Sequence, residues 1–222
     1  MLRLILLILT TGLLGASIRA DESEQQAIAL AVELGGSAKV DDKLGEIARV
    51  AVKLDTANDA ALQRLCKMPS VGSLEILDAT KCTDVGFACL KELPDLQKIV
   101  LGKCPLSDKD AAAIGTLRSL NVLFVGESKL TDTTFASFKK LVNLKVLDVS
   151  DSALTDKSAP ILLGMKKLEE LNLSKTKFGD VGVTALKDLE KLLLLKLNQT
   201  NVTRKGIDAI EAARGKALTV RW

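Results

Sequence analysis

The sequence predicts an α/β solenoid, in which stacked coils each contribute one β-strand and one short helix. Three observations support this prediction. One position recurs every 24 or 25 residues, an alternating apolar pattern precedes each recurrence, and apolar residues at intervals of three follow it. The 222 residues, 47% of them apolar, can bury a substantial core in one domain. Aromatic residues make up only 3%, so that core must be aliphatic, which favours a repetitive stack.

The first predicted element is a secretory signal peptide over residues 1–20. Arg3 gives a positive start, residues 4–14 are mostly apolar, and residues 15–20 are mostly small. We expect cleavage after Ala20. The alternative is an uncleaved anchor, although the apolar run is shorter than the about 20 residues of a spanning helix, and no later segment qualifies as one. The sequence therefore predicts an exported protein, which is secreted, periplasmic or held at the cell surface.

The charge of the exported chain argues against one class of partner. Removal of residues 1–20 would leave 29 basic and 28 acidic side chains, which is a nearly neutral balance. No block of basic residues interleaved with aromatic residues occurs. We therefore expect no nucleic-acid partner.

An N-terminal cap is predicted over residues 21–46, as a helix followed by a turn. Ser23 and Gln26 have the spacing of a capping box at the start of the helix, and Gly35 and Gly36 mark its end. Residues 37–46 are then expected to form a turn that leads to the first strand at Ile47.

Seven repeats are predicted over residues 47–215. Before each recurring position, apolar pairs such as Leu123 and Val125 alternate with the period of a strand that has one buried face. After it, apolar residues are spaced as on one helix face, for example Phe135, Phe138 and Leu141. Each repeat is thus a strand, a turn and a short helix. The recurring positions are Asp59, Asp84, Asp108, Asp132, Asp156, Asp180 and Arg204.

Two local features modify this regular pattern. The single spacing of 25 residues indicates one residue inserted between Ile76 and Thr80, which we expect as a bulge after that strand. Residues 216–222 are predicted to add a C-terminal cap strand, with Val220 and Trp222 covering the last coil.

These repeats resemble the leucine-rich-repeat family in its 24-residue bacterial form, LxxLxLxxTxLTDxGLxxLxxLxx. The resemblance implies a right-handed solenoid with a parallel sheet on the concave face and short helices on the convex face. It also implies a binding role and predicts no chemistry.

Nothing in the sequence points to catalysis. The absence of histidine excludes the usual Ser-His-Asp triad, and the cysteine spacing matches no zinc pattern. We therefore expect no enzymatic activity, no cofactor and no metal site.

Two polar columns are interpreted as structural. Each recurring Asp, with the Thr or Ser before it, is expected at a helix N-terminus, as an N-cap and a favourable charge; a row of cation sites is the alternative. The second column is expected to face inward and to bond loop carbonyls. Its members are Thr80, Cys104, Ser128, Ser152, Thr176 and Thr200.

The four cysteines are interpreted mainly as small buried side chains. A disulfide is the alternative in an exported protein. Cys82 and Cys104 would need a favourable displacement to form one, and Cys66 and Cys89 need not face each other.

The candidate binding surface follows from the strand positions that do not face the core. One such column is Ala51, Glu75, Val100, Phe124, Asp148, Asn172 and Lys196, and the other is Arg49, Ser73, Lys98, Val122, Val146, Glu170 and Leu194. The predicted partner-binding residues are an apolar patch with a polar border: Val100, Val122, Phe124, Val146, Asp148, Glu170 and Asn172. An exposed Phe among valines is a candidate hot spot, although β-propensity alone also favours these residues in strands.

The predicted function is an exported scaffold that binds a protein or peptide through its concave sheet face. The alternative is a carbohydrate-binding or cell-surface-binding scaffold, which would use polar strand residues such as Asp148, Asn172, Lys196 and Asn198. The poverty of aromatic residues weighs against sugar stacking and favours the first hypothesis.

Overall fold

The computed structural model describes residues 21–222, which form one open sheet of nine strands covered on one side by short helices. The predicted signal peptide lies outside the described residues. The strands follow one another in chain order across the sheet. The first pair is antiparallel and all later pairs are parallel. A parallel sheet in chain order requires every connection to cross over in the same direction, and this repeated crossover produces a right-handed solenoid.

The strands are longest at β2 and β3 and become short after them. Their bounds are β1 Ser37–Val40, β2 Val50–Asn58, β3 Val71–Lys81, β4 Lys98–Leu101, β5 Val122–Phe124, β6 Val146–Asp148, β7 Glu170–Asn172, β8 Leu194–Lys196 and β9 Thr219–Arg221. The helices are α1 Glu22–Glu33, α2 Asp59–Leu65, α3 Asp84–Phe87, α4 Asp108–Ile114, α5 Asp132–Phe135, α6 Ala159–Gly164, α7 Asp180–Ala185 and α8 Arg204–Arg214. Short 3-10 segments supplement the helices at Asp42–Leu44, Ala88–Glu92, Ala136–Lys140, Asp156–Ser158, Leu186–Asp188 and Gly215–Ala217.

The core lies between the sheet and the helices and is continuous from α1 to the last coil. It is built from the alternating strand residues and the helix stripe that the sequence predicts. Four of the five phenylalanines are fully buried in it, and Phe135 and Phe138 pack edge to face with ring centroids 5.6 Å apart. Phe124 is the exception, because it lies on the other side of the sheet.

The inward hydroxyl column is confirmed in four coils. Each hydroxyl donates to the carbonyl three residues earlier, at 2.7 Å for Ser152 and Thr176 and 2.8 Å for Thr200; Ser128 makes the same bond to Val125. Thr80 was wrongly placed in this column. The predicted bulge is present, because Thr56 pairs with Asp78 but Asn58 pairs with Lys81.

The bulge explains the error at Thr80. The extra residue turns the Thr80 side chain to solvent, where its hydroxyl donates to Asp78 at 2.6 Å, and buries Ala79 instead.

The recurring Asp column has a larger structural role than the predicted capping. Thr83, Ser107, Thr131 and Thr155 cap the helices that follow them, as expected. Thr203 does not cap its helix; its hydroxyl donates to the Asp180 carboxylate of the preceding coil at 2.7 Å.

Two of the capping threonines make the same bridge between coils. The backbone amide and hydroxyl of Thr83 both donate to Asp59, each at 2.7 Å. Those of Thr155 donate to Asp132, at 2.9 and 2.6 Å. Each such carboxylate therefore fastens its own coil to the start of the next helix.

The N-terminal cap differs from the prediction in two ways. Helix α1 begins two residues earlier, with Asp21 as N-cap and Glu24 completing the capping box, so that Ser23 and Gln26 do not form it. Residues 37–40 form strand β1 and not a turn. Glu24 decides the first difference, because at this register its buried carboxylate reaches the half-buried guanidinium of Arg49 at 2.7 Å.

The first coil is also displaced by two residues from the predicted columns. Ala51 pairs with Ser73, and Lys53 pairs with Glu75. The reason is that β2 runs directly into α2, with Asn58 as N-cap and no intervening turn. Arg49 therefore leaves the sheet column in which the sequence placed it.

Two cysteines form a disulfide that the sequence did not predict. Cys66 follows α2, Cys89 follows α3, and their Cα atoms lie 5.8 Å apart. They are 23 residues apart, close to one repeat, which brings them to equivalent heights in neighbouring coils. Cys82 and Cys104 are unpaired and buried, as expected for small core residues. Within residues 21–222, no helix is long and apolar enough to cross a membrane.

Candidate binding surface

The seven predicted partner-binding residues come together on four neighbouring strands. Along one column Val100 pairs with Phe124, Phe124 with Asp148, and Asp148 with Asn172. Along the other column Val122 pairs with Val146, and Val146 with Glu170. Neighbouring strands lie about 4.8 Å apart, so these side chains form one continuous surface.

The strand alternation fixes which side of the sheet they occupy. Leu123, Leu147 and Leu171, the residues between the two columns, are at most 1% exposed. The four apolar residues of the surface, Val100, Val122, Phe124 and Val146, are half-buried. They therefore face away from the core and keep part of their surface in water. We call these four residues the apolar patch.

The polar border is organised by hydrogen bonds within the sheet. The Asp148 carboxylate accepts from the Ser150 amide at 2.9 Å and from its hydroxyl at 2.6 Å, and the Asn172 side-chain amide donates to it at 2.7 Å. Asn172 in turn accepts from the Ser174 amide at 3.0 Å. Asp148 and Asn172 are thus held in one orientation before any partner arrives.

Glu170 differs from the rest of the border. Its side chain is exposed, and it has no hydrogen-bond or ion-pair partner among residues 21–222. Its neighbours in the column, Val146 and Leu194, are apolar. The surface therefore carries one free carboxylate beside an apolar area.

Sequence reasoning missed Leu77 at the N-terminal side of the patch. Leu77 follows the buried Ile76, is 44% exposed and lies beside the backbone of Gly102. The alternation of Glu75, Ile76 and Leu77 was the available signal, but the inserted residue ended the predicted strand too early.

Two buried thiols and one open depression lie outside this surface. Burial, with the nearby carboxylate charges, raises the pKa of the Cys82 thiol to about 11, and burial raises that of Cys104 to about 12. Both thiols are therefore protonated and unreactive near neutral pH. Within residues 21–222, no group of three or more Cys, Asp or Glu side chains could hold a metal ion. An open depression of about 390 Å³ on the helix side is lined by Asp180, Val181, Thr184, Ala185, Lys187 and Lys205.

Stacked strand–turn–helix coils with a ladder of leucines inside give the chain the fold of a leucine-rich-repeat solenoid. The family model described as leucine-rich repeat matches residues 118–178. The sequence matches no curated protein significantly.

Solved structures share the fold at low sequence identity. An internalin (inlC2) of Listeria monocytogenes is 21% identical, with a TM-score of 0.57, and the match covers 90% of this chain and 93% of that one. An internalin (inlF) of the same organism is 19% identical, also with a TM-score of 0.57, and the match covers 77% of this chain. This chain spans 47% of the length of inlF, about half. These likenesses establish the fold.

Proposed function

We propose that the protein is an exported scaffold that binds a protein or peptide partner through the concave face of its sheet. The observation that carries the proposal is the apolar patch, which lies at the centre of that face. Strand residues are held rigidly by pairing on both sides, so ordering them when a partner binds would cost little conformational entropy. The proposed contact residues are Val100, Val122, Phe124, Val146, Asp148, Glu170 and Asn172.

Phe124 is the proposed centre of the interface. The other four phenylalanines serve the core, whereas this one is placed between Val100 and Asp148 on the exposed face. Aromatic side chains at the centre of an interface commonly contribute about 2 kcal/mol or more. The β-propensity of Phe accounts for its presence in a strand but not for a patch of four apolar residues facing water.

Export is part of the proposal and has two supports. Residues 1–20 have the composition of a signal peptide. The Cys66–Cys89 disulfide is the kind of bond that persists in oxidising compartments and is rare in the cytosol.

The test is affinity purification of the exported protein from its native source, with partners quantified by mass spectrometry. Phe124→Asp should lower recovery of the specific partner by about 30-fold, the equivalent of 2 kcal/mol. Val142→Asp is the matched control, because Val142 is 46% exposed but lies outside the sheet columns. Equal recovery with both variants would refute binding through this patch.

A carbohydrate ligand is the less favoured proposal. Most hydrogen-bonding groups of Asp148 and Asn172 are already bonded to each other, to Ser150 and to Ser174. A glycan array would reverse the order if binding survived Phe124→Asp and was lost with Asn172→Ala.

A further inference from the structure

Charges on the sheet face divide into those that have a partner and those that do not. Lys53 and Glu75 form an ion pair at 2.8 Å across β2 and β3. Asp148 is satisfied by Ser150 and Asn172. In contrast, neither Lys98 nor Glu170 has an ion-pair or hydrogen-bond partner in the part of the chain that the structure describes.

These two unpaired charges lie on either side of two valines in one column. Lys98 pairs with Val122, Val122 with Val146, and Val146 with Glu170. In the next column, Val100 lies on the strand of Lys98 and Phe124 on the strand of Val122. Three strand spacings separate Lys98 from Glu170, a distance of about 14 Å. The apolar patch is therefore bounded by a cation on one side and an anion on the other.

Resting on the proposed function, we propose that the partner is an extended peptide segment that lies across the strands with an acidic, an apolar and a basic side chain at positions i, i+2 and i+4. In an extended chain these three side chains point to the same face, and i to i+4 spans about 13–14 Å. The acidic group meets Lys98, the apolar group fills the patch, and the basic group meets Glu170.

Helical spacing does not match this surface. Residues on one face of a helix recur at i+7 and i+11, which are about 10 and 16 Å away along the axis. Neither distance equals the separation of Lys98 and Glu170. An extended segment satisfies both charges and the patch together.

Desolvation makes the charge at Glu170 decisive. A partner that covers Val146 and Phe124 also removes water from Glu170, and burying a carboxylate without a counter-charge is strongly unfavourable. Lys98 is less demanding, because a long side chain can carry its ammonium group back to solvent. Beyond Glu170 the face turns basic at Lys196 and Arg221, so the cation of the partner is confined to Glu170.

The experiment is selection of random displayed heptapeptides on the immobilised, disulfide-bonded protein. We expect the enriched peptides to carry an acidic and a basic residue four positions apart, with an apolar residue midway. The enriched peptides are then synthesised with a label, and their affinity is measured by fluorescence polarisation. They should bind Glu170→Lys at least ten-fold more weakly than the unmodified protein, and Glu170→Gln should weaken binding less. Glu169→Lys is the control, because it makes the same change in net charge beside the strand but outside the two columns.

The outcomes separate this inference from the proposed function. Peptides that lose binding to Phe124→Asp but show no charge preference, or bind Glu170→Lys and Glu169→Lys equally, would refute the extended acidic–apolar–basic partner and leave the binding surface intact. If no peptide is enriched, or if enriched peptides bind Phe124→Asp unchanged, the peptide-binding function itself is refuted and the inference with it.

Discussion

At the scale of single residues, one column of the solenoid holds an unfavourable backbone conformation. Five non-glycine residues, each 24 positions apart, have φ between 44° and 61°: Lys103, Glu127, Asp151, Lys175 and Gln199. This value falls in the turn after each strand, where backbone amides reach the neighbouring coil. The Glu127 amide, for example, donates to the Ser150 carbonyl at 2.9 Å. Left-handed backbone of this kind costs a non-glycine residue about 1 kcal/mol.

Glycine at this position should stabilise the fold. Glu127 is exposed and its side chain has no partner among the described residues, so Glu127→Gly removes only backbone strain. We expect the free energy of unfolding to rise by about 0.5 kcal/mol, after allowance for the greater entropy of unfolded glycine. Urea denaturation measures the change. Lys91→Gly, at an exposed position with negative φ, should instead lower the free energy of unfolding. If both variants lower it, the inferred backbone strain at Glu127 is wrong.

The Asp bridges between coils predict a dependence on pH. Burial would raise the pKa of Asp132, but hydrogen bonds from Ser158 and Thr155, with the charge of Lys157, hold it below its usual value. A carboxylate with a lowered folded pKa stabilises above its unfolded pKa, and this contribution is lost as pH falls through the folded pKa. Asp132→Asn should therefore cost about 1 kcal/mol at pH 7, and the difference from wild type should shrink below about pH 4.

Unfolding by urea at several pH values tests this bridge. Asp84→Asn is the matched control, because the only ion-pair partner of Asp84 among residues 21–222 is the exposed Lys109, at 3.2 Å, and loss of the Asp84 charge should change stability little at pH 7. A difference for Asp132→Asn that stays constant from pH 7 to pH 2 would show that the carboxylate charge does not act in the bridge.

At the scale of elements, the third position of each helix determines how closely coils can stack. A Cβ atom at Gly86, Gly182 or Gly206 would meet the Asp carboxylate of the preceding coil. In two other coils a hydroxyl stands there and donates to that carboxylate at 2.5 Å, from Thr134 to Asp108 and from Ser158 to Asp132. The glycine in the repeat pattern therefore leaves space for the Asp carboxylate of the preceding coil. A threonine or serine at the same position donates a hydrogen bond to that carboxylate.

Gly182→Ala should destabilise the protein although alanine favours helices. The added methyl group would press on both Asp156 and the buried ring of Phe178, so neither neighbour can give way freely. We expect a loss of about 1–3 kcal/mol by thermal or urea unfolding. Gly164→Ala is the control, because a Cβ there meets nothing within 4 Å. If both substitutions leave stability unchanged or raise it, the inference that residue 182 has no space for a Cβ atom is wrong.

The sequence predicted the elements best where the repeat is regular. From Leu123 onward, the alternating strand residues, the helix stripe and the inward hydroxyls are where the pattern places them, because each coil packs only on its neighbours. The first coil could not be predicted by periodicity. Its strand runs into α2 without a turn, and its register depends on the pairing of Arg49 with Glu24, a contact over 25 residues.

At the scale of the whole molecule, the composition of the binding face followed from the register, but its electrostatics did not. The column positions of Val122, Phe124 and Glu170 are fixed by counting residues. Whether a charge is free depends on side-chain geometry, since Asp148 is satisfied by its neighbours whereas Glu170 is not. The Cys66–Cys89 disulfide was missed for a similar reason, because counting residues does not show that the two side chains face each other.

A solenoid is most easily opened from its ends, so the ion pair that fastens α1 should control the stability of the first coils. Glu24 is 2% exposed, and the Arg49 side chain contacts both Glu24, at 2.7 Å, and Asp42, at 3.1 Å. Arg49→Ala leaves a buried carboxylate with only the Asp21 amide as partner, a change that typically costs about 3–5 kcal/mol.

Because each coil contacts only its neighbours, this loss should fall on one end of the molecule. Native-state hydrogen exchange should show reduced protection of α1 and β1, with β6 to β8 nearly unchanged. The double variant Arg49→Met, Glu24→Gln removes both charges and should restore much of the protection, because no uncompensated charge is then buried. A uniform loss of protection through all nine strands would instead mean that the solenoid unfolds as a single cooperative unit, with the cap bearing on every coil.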